Sequence, residues 1–501
     1  MSLRALLRGS LLYTLGNFLP RIGTFLLLPV YTAAMLPAEY GVLSLMLSLA
    51  GLLAIVYRLG LDGALLRFHF DVDPARRPAL YHTATTVTVA ASIVLSAAGA
   101  LLLAPFFDRI FPGVSFFPYG ALALAITATT ALQYVPSDLF RAIERPGRFL
   151  AFALAVFFVA FVGVLVFVLV LDMGAAGGLL ANLAGGGVVI AATAYVLARM
   201  RRGRFDPQLA RQTLRFGLPL VPHGLAGWVL NLSDRWLIGL TIGLNAVGAQ
   251  AAVGIYSFGY VFGQSVALVA MSFNAAWVPL WYARGDGEQG PALLREMTSL
   301  VMAGLAVLAV GVSVVAPELT RLLGTRRWGA EAQVAAEVIP IVAAASLVYG
   351  LYFMLVSTVF LRRRTAGLPI LTLVAGAANV GANLLLIPRI GLVGAAWSTL
   401  IGYGVLTAMT WWYARRGYPV SLDLPRLVLI VVAAVAAVAV AQLITPPRSG
   451  LTLSGGLHLA VGAAYALLML PVVWRPAVRL RHLLEQPLPP DASPGAAAGR
   501  G

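Results

Sequence analysis

Residues 149–171 read FLAFALAVFFVAFVGVLVFVLVL, without one charged, amide or hydroxyl side chain; Arg145 and Arg148 stand just before the stretch and Asp172 just after it. A helix of that length, rising about 1.5 Å per residue, crosses a hydrocarbon core of about 30 Å. Runs of this kind recur along nearly all of the 501 residues. The chain is 60% hydrophobic and 11% charged, with a mean hydropathy of +0.89. Soluble globular chains carry about 25% charged residues. A chain with less than half of that cannot clothe a water-facing surface, so the composition dictates a polytopic membrane protein.

Working outward gives approximate spans at 9–35, 41–66, 80–104, 117–142, 149–171, 176–198, 213–241, 251–279, 293–316, 334–361, 367–388, 392–414, 425–445 and 452–474. The fold class is therefore all-α, with about fourteen transmembrane helices. The first apolar run continues to about Leu36, too long for a signal-peptide core, and reads as an uncleaved first span. Residues from Glu485 to Gly501 are rich in Pro, Ala and Gly and read as a disordered tail.

Arginine placement tests the alternation. Every one of the 35 basic residues is Arg, which reads as genomic base composition. With the N-terminus in the cytoplasm, 26 of them fall on inner segments and helix ends, six on outer loops and three inside spans. That asymmetry obeys the positive-inside rule and places both termini in the cytoplasm. The formal charge of +16 is thus spread over short loops facing anionic lipid headgroups. Nucleic acid, which would need one basic patch, is excluded as a partner. The absence of Cys excludes disulfides, thiolate chemistry and Cys-ligated metals.

Two halves of the chain echo each other. Pro78-Ala79-Leu80 returns as Pro291-Ala292-Leu293; Ala104-Pro105 with Arg109 returns as Ala316-Pro317 with Arg321; Tyr40 returns as Tyr256; Gly174 and Gly177 return as Gly391 and Gly394. A repeat of six spans re-enters the membrane from the same side, so its copies are related by a parallel pseudo-twofold along the membrane normal. The expected organisation is an N-terminal lobe at 1–205, a C-terminal lobe at 206–420, two extra helices at 421–480 and a cytoplasmic tail at 481–501. Paired six-helix lobes imply alternating access to a site between them.

Charges inside spans carry the chemistry, because each costs about 2.5–3.5 kcal/mol at the bilayer centre on insertion scales. Arg21 follows Pro20 in span 1; Arg58 and Asp62 lie four apart, hence on one face of span 2; Asp234 and Arg235 lie in span 7. Guanidinium forks grip phosphate while staying charged, so Arg21, Arg58 and Arg235 are the substrate-binding candidates. A structural ion-pair network is the competing reading, above all for Arg58 with Asp62. Asp62 and Asp234 are candidates for ion or proton coupling, or for ion pairing. Asp138 and Glu144 are expected at a solvated inner helix end. His223 is expected as an interior, hydrogen-bonded residue, and Asn17, Asn231, Asn274, Asn379 and Asn383 as bridges between helices. Trp228, Tyr256, Trp277, Tyr352 and Trp397 suit either sugar stacking or packing. Gly185-Gly186-Gly187 reads as close packing. No catalytic constellation, metal-ligand cluster or cofactor motif is present in the sequence.

A family pattern runs through Leu28-Pro29-Val30-Tyr31-Thr32, Pro37-Ala38-Glu39-Tyr40-Gly41, and Gly60-Leu61-Asp62-Gly63-Ala64-Leu65-Leu66-Arg67-Phe68. It continues in Ser233-Asp234-Arg235-Trp236-Leu237-Ile238-Gly239, Val253-Gly254-Ile255-Tyr256, and Asn383-Leu384-Leu385-Leu386-Ile387-Pro388 leading into Gly391-Leu392-Val393-Gly394-Ala395-Ala396. The chain resembles the polysaccharide-transporter branch of the multidrug/oligosaccharidyl-lipid/polysaccharide exporter superfamily, the Wzx-type oligosaccharide flippases. The resemblance implies a multi-pass protein of the bacterial inner membrane that moves oligosaccharide linked to undecaprenyl pyrophosphate, for polysaccharide, lipopolysaccharide or O-antigen synthesis. It also implies a basic cavity between lobes, a lipid-tail groove at the two extra helices, and contact with membrane lipids and other polysaccharide-assembly proteins. Arg21 and Arg58 match places where related lipid II flippases carry cavity arginines, and Arg235 lies on the corresponding helix of the second lobe. Two alternatives stand beside it: a multidrug exporter of the same superfamily, and a membrane glycosyltransferase or polymerase. The longest outer connector, about Pro317 to Gln333, offers Glu318 and Glu331 but no catalytic cluster to support an enzyme.

Overall fold

The computed structural model describes residues 3–324, 327–329, 331–444 and 451–485. Among them the chain is helical with no strand: α1 (Leu3–Ala34), α2 (Pro37–Arg58), α3 (Leu61–Asp71), α4 (Arg77–Leu103), α5 (Phe107–Ile110), α6 (Ala121–Leu132), α7 (Tyr134–Ala142), α8 (Pro146–Val164) and α9 (Gly174–Arg199). There follow α10 (Pro207–Gly217), α11 (Val221–Thr241), α12 (Ala246–Arg284), α13 (Gly290–Val314), α14 (Ala316–Leu323), α15 (Glu331–Leu361), α16 (Leu368–Ala414), α17 (Leu424–Ile444) and α18 (Leu451–Glu485). Helix covers each expected span, and among the described residues 11 helical segments are long and apolar enough to cross a membrane. The segment running from Pro74 to Ile110 buries only 11% of its most apolar window, whereas α12 buries 72%. An apolar helix left uncovered to that degree requires lipid around it. Residues 486–501, most of the expected tail, lie outside the described residues, and α18 continues to Glu485.

The chain divides into two compact units, Met1–Ser257 with Leu323–Gly329, and Phe258–Leu322 with Ala330–Gly501. In the first, α2 packs against α4, α6, α9 and α11, while α8 lies against α1 and α9. The buried face of α2 includes Leu43, Met46, Leu49, Ala50, Ala54 and Tyr57, recurring at the three-to-four-residue spacing of one helical stripe. Proline in the first turn starts several of these helices, where its missing N–H costs nothing. The close packing expected of the triple glycine holds for Gly186, where an added Cβ would stand 2.4 Å from the Thr129 hydroxyl.

Four expected spans differ in detail. Span 2 is not one helix, because Leu59 and Gly60 both take left-handed backbone angles, φ 52° and 71°, and part α2 from α3. Gly60 is required there twice over: for its angle, and because a Cβ would meet the Gly217 carbonyl oxygen at 2.0 Å. Span 7 begins early, at α10, because the Asp206 side chain accepts the Gln208 and Leu209 N–H groups at 2.9 and 3.1 Å and caps that helix. Arg76 adds a 2.7 Å ion pair to the same carboxylate. Spans 11 and 12 form the single α16, bent where Ile390 and Gly391 leave helical geometry.

In the second unit α13 packs against α15, α17 and α18. Charge secures this packing. The buried Glu296 carboxylate on α13 accepts from Arg426 of α17 at 3.3 Å and from Arg479 of α18 at 3.1 Å. Beside it Asp423 accepts from Arg295 at 3.2 Å and caps α17 through the Arg426 N–H. Burial raises the Asp423 pKa, but Arg295 and Arg426 outweigh it and hold the carboxyl below its usual value.

Two outcomes follow. Gly60→Ala should lower the thermal midpoint in detergent clearly below that of Gly187→Ala, where a Cβ meets nothing within 4 Å; the left-handed backbone alone costs about 1–2 kcal/mol. For Asp423, a lowered native pKa means stability present above about pH 4 and lost as pH falls through the native value. Asp423→Asn should flatten that acid limb in a pH series of melting curves.

Candidate functional site

A cavity of about 1180 Å³ opens within the first unit, lined from α1, α2, α3, α6–α7, α8, α9 and α11. One wall is apolar: Phe149, Phe152, Val156, Phe157, Phe161 and Val164 of α8 follow one another along it. Polar groups line it elsewhere, Ser44 and Ser48 on α2 beside Leu43 and Leu47, Ser137 on α7 and Asn182 on α9. Along α2 the lining runs from Tyr40 to Arg58, a rise of about 27 Å, close to the depth of a hydrocarbon core. An amphipathic solute has an apolar and a hydrogen-bonding side to lie between.

Of the expected binding residues, Arg58 and Arg235 both line this cavity, as does Asp62. The backbone of α1 carries Arg21, but the Arg21 side chain, like that of Asn17, lies outside the described residues. Arg58 and Asp62 meet as the spacing requires, though across the α2–α3 break, with 3.6 Å between Nη1 and Oδ2. Arg58 Nη2 also donates to the Thr130 carbonyl at 3.0 Å, while its buried Nε has no acceptor. Arg235 is held more tightly. Its Nη1 and its backbone N–H donate to Asp234 Oδ1 at 3.1 and 2.9 Å, and the Tyr256 hydroxyl donates to the other oxygen of the same carboxylate. The guanidinium stands 5.9 Å from the centre of the Tyr256 ring. Trp228 and Trp236 of α11 both donate to Ser48, at its carbonyl and its hydroxyl, and pin this helix to α2.

Two residues join the site that the sequence reading had assigned elsewhere. Asp138 was expected at a solvated helix end; instead its side chain is 6% exposed, lines the cavity, and has one carboxylate oxygen without a donor. The reason is that α7 turns this face toward α3 and α8. Arg141, one of the 26 arginines expected on inner segments and helix ends, lines the cavity three residues on, 3.6 Å from Asp138 Oδ1 and 4.8 Å from the Phe149 ring centre. The i,i+3 spacing of opposite charges was the available signal, as it was for Arg58 and Asp62. Tyr31 and Tyr40 also line the cavity, whereas Trp228, Tyr256 and Trp277 are buried packing residues. His223 is exposed, contrary to the interior position expected of it. Asn231 and Asn383 donate to carbonyls one turn back on their own helices. No cluster with metal-ligand character occurs among the described residues.

Among the described residues, charge at the site is balanced: Arg58, Arg141 and Arg235 each have a carboxylate partner, at Asp62, Asp138 and Asp234. The pairs differ in burial. Asp234 is 3% exposed and Asp62 45%. Deleting one partner of a buried pair costs about 3–5 kcal/mol, and of an exposed pair about 1 kcal/mol or less. Asp234→Ala should therefore depress the melting temperature far more than Asp62→Ala.

No curated protein matches the sequence significantly. Among solved structures the fold is similar to a lipid II flippase, MurJ, in an inward closed conformation: TM-score 0.73 at 10% identity, covering 93% of this chain and 100% of that one. It is also similar to an inward-facing multidrug resistance MATE family transporter of the MOP superfamily (TM-score 0.60, 14% identity, 84% and 95% covered). A Vibrio cholerae MATE transporter matches with TM-score 0.53 at 15% identity, with 82% and 96% covered. At these identities the likeness speaks for the fold alone. Residues 6–282, more than half of the chain and all of the cavity lining, match the family model described as polysaccharide biosynthesis protein, and the chain belongs to that family.

Proposed function

We propose that this protein is a flippase that moves a polyprenyl-pyrophosphate-linked oligosaccharide across the bacterial inner membrane by alternating access, for polysaccharide or O-antigen assembly. The observation that carries this reading is the two-sided cavity, with an aromatic wall on α8 and an arginine-bearing polar wall about as long as the bilayer is deep. An isoprenoid chain suits the first wall, and sugar hydroxyls with a pyrophosphate suit the second. Membership of a polysaccharide biosynthesis family supports a glycan-bearing cargo. In this reading all fourteen spans cross the bilayer, both termini are cytoplasmic, and lobes at 1–205 and 206–420 rock against each other with 421–480 beside them. Arg58 meets the pyrophosphate, and Arg21 and Arg235 are further cationic contacts for the cargo. The protein does its work by transport and not as an enzyme.

One observation favours a second reading. The buried Asp138 oxygen without a donor and the charge-balanced lining would suit a cationic drug, as in a multidrug exporter. Proteoliposomes separate the two. With fluorescent lipid-linked oligosaccharide in one leaflet, the wild type should expose the label to an outside quencher. Arg58→Ala and Arg21→Ala should slow that by at least about tenfold, one lost charged hydrogen bond, with unchanged melting. Transport of a cationic dye with no movement of the glycolipid would reject the flippase.

A further inference from the structure

The three cavity arginines among the described residues are held in two different ways. Arg235 sits in a closed arrangement: it is 8% exposed, its Asp234 partner is 3% exposed, and Tyr256 satisfies the carboxylate from the other side. Withdrawing that guanidinium would strand a buried anion, which is heavily penalised. Arg58 and Arg141 are 26% and 39% exposed, and each stands 3.6 Å from its carboxylate, beyond hydrogen-bond length. Both ends of this arrangement are incompletely served. The Arg58 Nε donor is buried without an acceptor, and Asp138 Oδ2 is buried without a donor. Asp138 lies within electrostatic reach of Arg141, Arg58 and Asp62 together, and of Tyr134 on its own helix and Tyr81 on α4. Four opposite charges thus form one loose cluster at a single end of α2.

Building on the flippase reading, we infer that Arg58 and Arg141 together form the pyrophosphate fork of this cavity, with Asp62 and Asp138 as the internal anions that the cargo displaces. Each phosphoryl group takes one guanidinium in the bidentate geometry that the loose carboxylates do not supply. Asp138 is then a competitor for the cargo, so it sets affinity low enough for release. Arg141 serves as a binding residue although it stands at the end of a span. Phe149, against which its guanidinium packs, keeps the side chain in the cavity when the carboxylate is exchanged.

The test uses the full chain in neutral-lipid nanodiscs and calorimetric titration with two probes, inorganic pyrophosphate and farnesyl pyrophosphate. Arg141→Ala should weaken binding by at least about tenfold, as should Arg58→Ala, while Asp138→Asn should tighten it severalfold. A gain of affinity cannot come from misfolding. Arg148→Ala, an exposed neighbour outside the lining, should bind as the wild type does. Wild-type affinity in Arg141→Ala, or weaker binding in Asp138→Asn, would overturn the fork while leaving the flippase reading intact. Failure of the wild type to bind either probe would instead reject the phosphate-bearing cargo, and the fork with it. Tighter binding of farnesyl than of inorganic pyrophosphate supports a lipid-linked occupant; equal affinity supports the fork with free pyrophosphate as its ligand.

Discussion

Ion pairing inside an apolar bundle is the constraint on which the rest of this structure depends. A charge away from water survives only with a partner close by, and the described charges around the cavity obey that rule by local means. Arg58 with Asp62, Asp138 with Arg141, and Asp234 with Arg235 are separated by four, three and one residues. Pairs made so close in sequence need no neighbouring helix to form. Neighbouring helices then decide how tightly each is held, and Tyr256 closing on Asp234 is what separates a locked pair from two loose ones.

Backbone shape determines where those pairs face. The left-handed Leu59 and Gly60 end α2 and restart the chain as α3, so Arg58 and Asp62 meet across a break. The contact between Gly60 and Gly217 leaves no room for a Cβ and lets α3 lie directly on α10. From Phe149 onward α8 presents aromatic rings to the cavity. The second unit uses charge differently. Glu296 is shared between Arg426 and Arg479, so one buried carboxylate secures both C-terminal helices to α13. His458 of α18 and Glu318 of α14 make a further contact of 2.9 Å in the same unit.

Much of this was legible in the sequence for a simple reason. Hydrophobic runs of membrane length are set by the solvent and not by tertiary packing. The helices therefore lie where the apolar runs predicted them, and residues as costly as Arg58, Asp62 and Arg235 were found because lipid forbids them elsewhere. Asp138 and Arg141 were missed because a charge near the end of a run reads equally well as solvated. Only α3 and α8 packing on α7 shows that this end is enclosed. His223 was misjudged in the opposite direction, since hydropathy does not report which face of a helix is covered.

Length, apolar periodicity and the placement of arginine by themselves determined an all-helical membrane protein with ionisable residues in its leading spans. Tertiary structure alone decided which of those residues share a cavity, which pairs are tight and which loose, and which wall is aromatic. The division has a physical cause: the cost of a charge in hydrocarbon depends on composition along the chain, whereas the strength of a pair depends on the groups that surround it in space.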